Sequence, residues 1–104
     1  MTGIAPEALH GKWLRAPEED TETELVYRPA SHPLPRSRGR EGLELRPDGT
    51  AVQVRPGPTD IAAHRQGRWR LSGNALHLEL EGERPSTRVL EVVDVSPSRI
   101  TVKR

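Results

Sequence analysis

Two tripeptides of the same pattern, Gly11-Lys12-Trp13 and Gly67-Arg68-Trp69, contain the only tryptophans of this chain. A glycine two residues before an indole carries no Cβ, so a neighbouring backbone can pass close to that point. Each Trp opens a segment with the period-2 alternation of a β-strand. The repeat therefore predicts two large anchors, from opposite halves of the sequence, meeting in one β-domain core. Little else is available to fill that core: of 104 residues, 33% are hydrophobic, 3% are aromatic and none is Phe. Ten Pro and nine Gly demand frequent turns, which suits short strands and excludes long helices.

The alternation and the turn residues divide the chain into eight short strands within one domain spanning 1–104. They are expected near 11–14, 24–28, 42–46, 50–55, 65–71, 75–80, 87–95 and 99–103. An acidic loop, 16–23, separates the first two. A Pro- and Arg-rich stretch, 29–40, has almost no apolar content and reads as a long loop. Pro47-Asp48-Gly49 is the strongest turn signal, so 43–46 and 50–54 are expected to form an antiparallel hairpin, with Val52 and Val54 inward. Gly67, Trp69 and Leu71 share a face, as do Leu76, Leu78 and Leu80, and Ile100 and Val102. The strand from Thr87 through Val95 is apolar on both sides, with Leu90 and Val92 on one face and Val89, Val93 and Val95 on the other. A long antiparallel meander leaves open edges unless it closes, so an all-β, up-and-down barrel of about eight strands is the expected architecture. A strongly curled open antiparallel sheet is the alternative.

Gly11-x-Trp13 on the first strand, the eight-strand count and a basic residue ending the last strand resemble a small lipocalin-like (calycin-type) barrel. The resemblance implies that Gly-x-Trp closes one end of the barrel. It also implies that Lys103 or Arg104 packs across the indole, a cation–π contact worth about 0.5–2 kcal/mol. Lipocalins proper are longer and richer in aromatic residues, and they usually have an export signal and disulfides. This chain matches only their minimal plan.

Chemistry is excluded more readily than assigned. With no Cys there is no disulfide, zinc-thiolate site or thiol nucleophile, and the absence fits a reducing, cytoplasmic setting. Residues 1–10 do not resemble a signal peptide, and no apolar run is long enough for a membrane helix. The four His (His10, His32, His64, His77) have no metal-ligand spacing, and no nucleophile elbow, phosphate-cradling loop or dinucleotide motif occurs. Neither a cofactor nor catalysis is implied. The acidic pair Glu18-Glu19 is expected to be hydrated.

The densest functional signal is arginine: 14 Arg against two Lys. Guanidinium forks match carboxylate and phosphate geometry, and several lie near the Pro-stiffened loop. Tyr27, Arg38, Arg40 and Arg65 are the candidate ligand-binding residues, lining a barrel mouth that takes a small anion. A purely structural role would pair these arginines with Glu41, Glu44 or Asp60. Parity places Arg15 and Arg65 on the inward face with Trp13 and Trp69, where a buried guanidinium needs a carboxylate such as Glu41. A strand with both faces apolar favours a second reading, a protein-interaction module that self-associates through 87–95. Nucleic-acid binding through the Arg-rich loop is a third reading, weakened because only Tyr27 remains as a stacking surface. A net charge of +1 compels neither nucleic-acid nor membrane binding.

Overall fold

The computed structural model describes residues 4–33, 40–55, 63–82 and 85–103. Eight strands form: β1 (Gly11–Arg15), β2 (Glu24–Pro29), β3 (Gly42–Leu45), β4 (Thr50–Arg55), β5 (Ala63–Ser72), β6 (Ala75–Leu80), β7 (Ser86–Ser96) and β8 (Arg99–Lys103). Every neighbouring pair is antiparallel and the sheet closes into a barrel, in the order β1-β2-β8-β7-β6-β5-β4-β3. The all-β, closed up-and-down barrel expected from the alternation is therefore what this sequence forms, and it is compatible with a calycin-like plan. From β3 to β8 each strand pairs with the next in sequence; β1 is the exception, lying between β2 and β3. The connection from β2 to β3 must therefore pass from one flank of β1 to the other.

Both indoles are buried, Trp13 at 4% and Trp69 at 9% exposure, in one cluster with Leu9, Leu43, Leu45, Leu76, Leu78, Leu90, Val92, Ile100 and Val102. A buried indole still needs a partner for its N–H. Trp13 Nε1 donates to the Leu9 carbonyl at 2.9 Å, which fixes the 3₁₀ turn Pro6–Leu9 under the barrel. Trp69 Nε1 donates to the Arg46 carbonyl at 2.8 Å, and its backbone N–H donates to Gly49 O at 3.0 Å. The β3–β4 turn is thus stapled to the second anchor. His10 closes this end, its ring edge-on to Trp69 with centroids 5.7 Å apart.

Gly67 has a different reason to be glycine. A Cβ there would sit 1.9 Å from the backbone oxygen of Glu79, so the neighbouring strand β6 lies closer to this point of β5 than any side chain permits. Gly11, in contrast, adopts φ +127° with nothing near its missing Cβ.

The structure corrects three expectations. The 47–49 hairpin forms, but its turn has three residues: Arg46 N–H donates to Thr50 O at 3.0 Å and Gly49 takes φ +90°. That length pairs Leu45 with Ala51 and Leu43 with Gln53, so Ala51 and Gln53 share the face of the core leucines, whereas Val52 and Val54 lie on the opposite face, where Val52 is still buried and Val54 half-buried. A register change of one residue exchanges the faces of a whole strand. Second, a bulge at Val92/Asp94 brings Val95 opposite Ile100 and packs it against the core. Only Val89 (55%) and Val93 (50%) stay exposed. Third, Lys103 lies opposite Glu24, its ammonium within 4.0 Å of Glu91, and does not cross the Trp13 indole. Arg104 is outside the described residues.

Candidate functional site at the polar end of the barrel

The end opposite the tryptophans is built from inward-facing polar side chains. Alternation carries Arg15 inward beyond Trp13, Tyr27 beside it on β2, Gln53 beyond Ala51 on β4, and Arg88 two positions before Leu90 on β7. Glu41 precedes β3 by one residue with the parity of Leu43. β3 and β7 are diametrically opposed in the strand order, four steps apart in either direction. Arg88 nevertheless reaches Glu41, Nη1 to Oε1 at 3.1 Å. This ion pair is a strap across the barrel mouth. Gln53 Nε2 donates to the same Glu41 oxygen at 3.0 Å, so one carboxylate oxygen collects two donors.

Gln53 is 1% exposed, and its Oε1 has no hydrogen-bond partner. The amide cannot profitably turn around, because that would set Oε1 against the Glu41 carboxylate. Leaving a buried acceptor unpaired costs about 1–3 kcal/mol.

Tyr27 is buried under the Arg15 guanidinium, whose Cζ lies 5.3 Å from the ring centroid. Burial pushes its hydroxyl above the ordinary tyrosine range, and the nearby Arg88 and Arg15 charges partly oppose that shift. Arg15 itself makes a two-pronged pair with Asp20, Nη2–Oδ2 at 2.6 Å and Nη1–Oδ1 at 3.0 Å, and also donates to Val26 O at 2.8 Å. These bonds hold the guanidinium charged, raising its pKa further.

The predicted ligand-binding residues are only partly brought together. Tyr27 lies inside this end. Arg65 is at the rim, donating to Glu81 O (3.3 Å) and Ser86 Oγ (3.2 Å). Arg40 grips Glu18 through both terminal nitrogens and donates to Arg15 O at 2.9 Å, which ties the start of β3 to the 3₁₀ turn Pro17–Glu19. Arg38 and Asp60 lie outside the described residues. The Arg40 bond holds the Glu18 carboxyl down at about 2, and Arg28 lowers Glu19 in the same manner. The Glu18-Glu19 pair stays solvent-accessible, as expected, and in addition clamps two guanidiniums.

Glu41 was singled out from the sequence as the carboxylate for an inward Arg15 or Arg65, but it pairs with Arg88 while Arg15 takes Asp20. Arg88 and Gln53 were not singled out. Arg88 was legible, since it shares parity with Leu90 and Val92. Gln53 was hidden by the valines on either side of it.

A groove of about 530 Å³ on the outer wall sets Arg68 among Glu79 and Glu81, a mixed lining with no preference for anions. Among the described residues no group of His, Asp and Glu converges as a metal site, and no helix is long and apolar enough to cross a membrane. Comparisons with known protein families, curated proteins and solved structures find no match to this chain.

Proposed function

We propose that this chain is a small binding barrel that takes a small anion, a carboxylate or phosphate, at its polar end, with no chemistry of its own. Arg88 is the central anion contact and Gln53 the polar floor; Tyr27 supplies a wall, and Arg65 and Arg40 shape the rim. The observation that carries this reading is Gln53: a wholly buried amide with an unpaired oxygen, beside an ion pair strung across a barrel mouth. A domain selected for stability alone gains by filling such positions with apolar side chains. A relationship to minimal calycin barrels, working in the cytoplasm, belongs to the same proposal. It is supported by the closed barrel and by Trp13 sealing one end, and weakened by the position of Lys103.

Titration of the ¹⁵N-labelled protein with acetate and with inorganic phosphate tests the reading. Saturable shifts confined to Gln53, Tyr27 and Arg88, with Kd on the order of millimolar and lost in Arg88→Ala, are expected. Unperturbed resonances in both titrations would leave the cluster a structural one.

Exposed Val89 and Val93 favour a second reading, self-association through the outer face of β7. Light scattering of the wild type against Val89→Ser/Val93→Ser distinguishes it: a dimer dissociated by the serines would make β7 the functional surface.

A further inference from the structure

We infer that the anion held at this end is a carboxylate with an O–H or N–H donor on the adjacent carbon, that is, a 2-hydroxy- or 2-aminocarboxylate. This rests on the anion-binding reading above. The Glu41 side chain already shows how the site treats a carboxylate: one oxygen sits 3.1 Å from Arg88 Nη1 and 3.0 Å from Gln53 Nε2. A free carboxylate replacing it meets the same two donors. The Gln53 amide then offers its second edge, Oε1, which is buried beside the first and has no partner. An acceptor in that place rewards a donor placed next to the carboxylate. Acetate supplies none there; inorganic phosphate near neutral pH keeps an O–H but is a tetrahedral anion with no planar carboxylate beside it. A site that presents an acceptor discriminates against the analogue lacking the donor, because that analogue leaves the buried group unpaired. Glu41 is in this scheme a tethered competitor: the ligand must displace it from Arg88 and Gln53. Truncating Glu41 opens a space of the ligand's own shape.

The test is an NMR titration of Glu41→Ala with glycolate, acetate and inorganic phosphate, following the Gln53 side-chain amide. Glycolate is expected to bind about tenfold more tightly than acetate, the worth of one hydrogen bond, and more tightly than phosphate. Gln53→Met in the same background is expected to abolish the preference while retaining weak carboxylate binding through Arg88. If Glu41→Ala does not fold, Glu41→Ser, which likewise removes the carboxylate and the volume it fills, carries the same series. Equal affinity for glycolate and acetate, or a preference for phosphate, overturns the inference and leaves the anion site intact. No response to any of the three overturns both.

Discussion

Gly67→Ala is the perturbation whose effect the barrel geometry fixes most tightly. The new methyl group would lie 1.9 Å from Glu79 O, 2.8 Å from Glu79 C and 2.9 Å from Leu80 Cα, all backbone atoms that no rotamer change can move. Strands β5 and β6 must part by about 1.5 Å to restore an ordinary contact. A shift of that size breaks roughly two ladder hydrogen bonds at about 1 kcal/mol each. It also loosens Trp69 and Leu80, for which misfit packing costs about 1–3 kcal/mol. The expected loss is about 3–5 kcal/mol out of the roughly 5–15 kcal/mol available to a domain. At about 4–8 °C per kcal/mol, the melting temperature should fall by at least ~12 °C. Urea denaturation followed by tryptophan fluorescence measures the loss directly. Gly49→Ala is the control: Gly49 also has a special backbone, φ +90°, but nothing lies within 4 Å of its missing Cβ. It should cost only about 1–2 kcal/mol. If Gly67→Ala proves no more destabilising than Gly49→Ala, close strand approach is not the reason for glycine at position 67.

Leu9→Ala should cost about 3 kcal/mol in the same assay, since Leu9 is fully buried under the sealed end; a loss below ~1 kcal/mol would mean that the Pro6–Leu9 turn is not part of the core. Gln53→Met should leave stability within about 1 kcal/mol of the wild type, because losing the bond to Glu41 is offset by removing an unpaired acceptor; a loss above ~2 kcal/mol would show that Oε1 is satisfied in solution. The hydrogen bond from Arg40 holds the Glu18 carboxyl down at about 2, below the ordinary carboxylate range, so its stabilising contribution is fully present above the unfolded pKa and disappears as pH falls through the folded one. Carboxyl ¹³C titration should find Glu18 near that depressed value in the wild type and back in the ordinary range in Arg40→Ala, and an unchanged Glu18 would separate the two residues.

What the sequence made legible was local. Trp13 and Trp69 announced the core, β5, β6 and β8 followed their alternation, and Pro47-Asp48-Gly49 marked its hairpin. The errors came where one residue of register decides a face: a three-residue turn put Val52 and Val54 on the face away from the core leucines and Gln53 on the core face, and a bulge turned Val95 inward. Neither leaves a mark in hydrophobicity, because valine suits both faces of a sheet. The site was harder still. Glu41 and Arg88 are 47 positions apart and meet only because strand order sets β3 against β7. No spacing rule encodes a contact across a barrel. Arginine was the right residue type to follow, yet Arg40, the most conspicuous of the described loop arginines, turns out to be a clamp on Glu18.

The position of β1 between β2 and β3 has a consequence for how the barrel assembles. Strands β3 to β8 join through neighbours in sequence and can form as a curved six-stranded sheet, but that sheet has two raw edges. The β1–β2 hairpin is the keystone: β1 pairs Gly11 with Leu45 on one edge, and β2 pairs Leu25 with Val102 on the other. Both are long-range pairings, reached only after a large loop-closure entropy has been met, so keystone docking should be the slow step of folding. The keystone is tethered to the sheet through a single connection, 30–41. Until it docks, the same two edges will accept the hairpin of a second molecule equally well, so at high protein concentration the refolding product to expect is a hairpin-exchanged dimer.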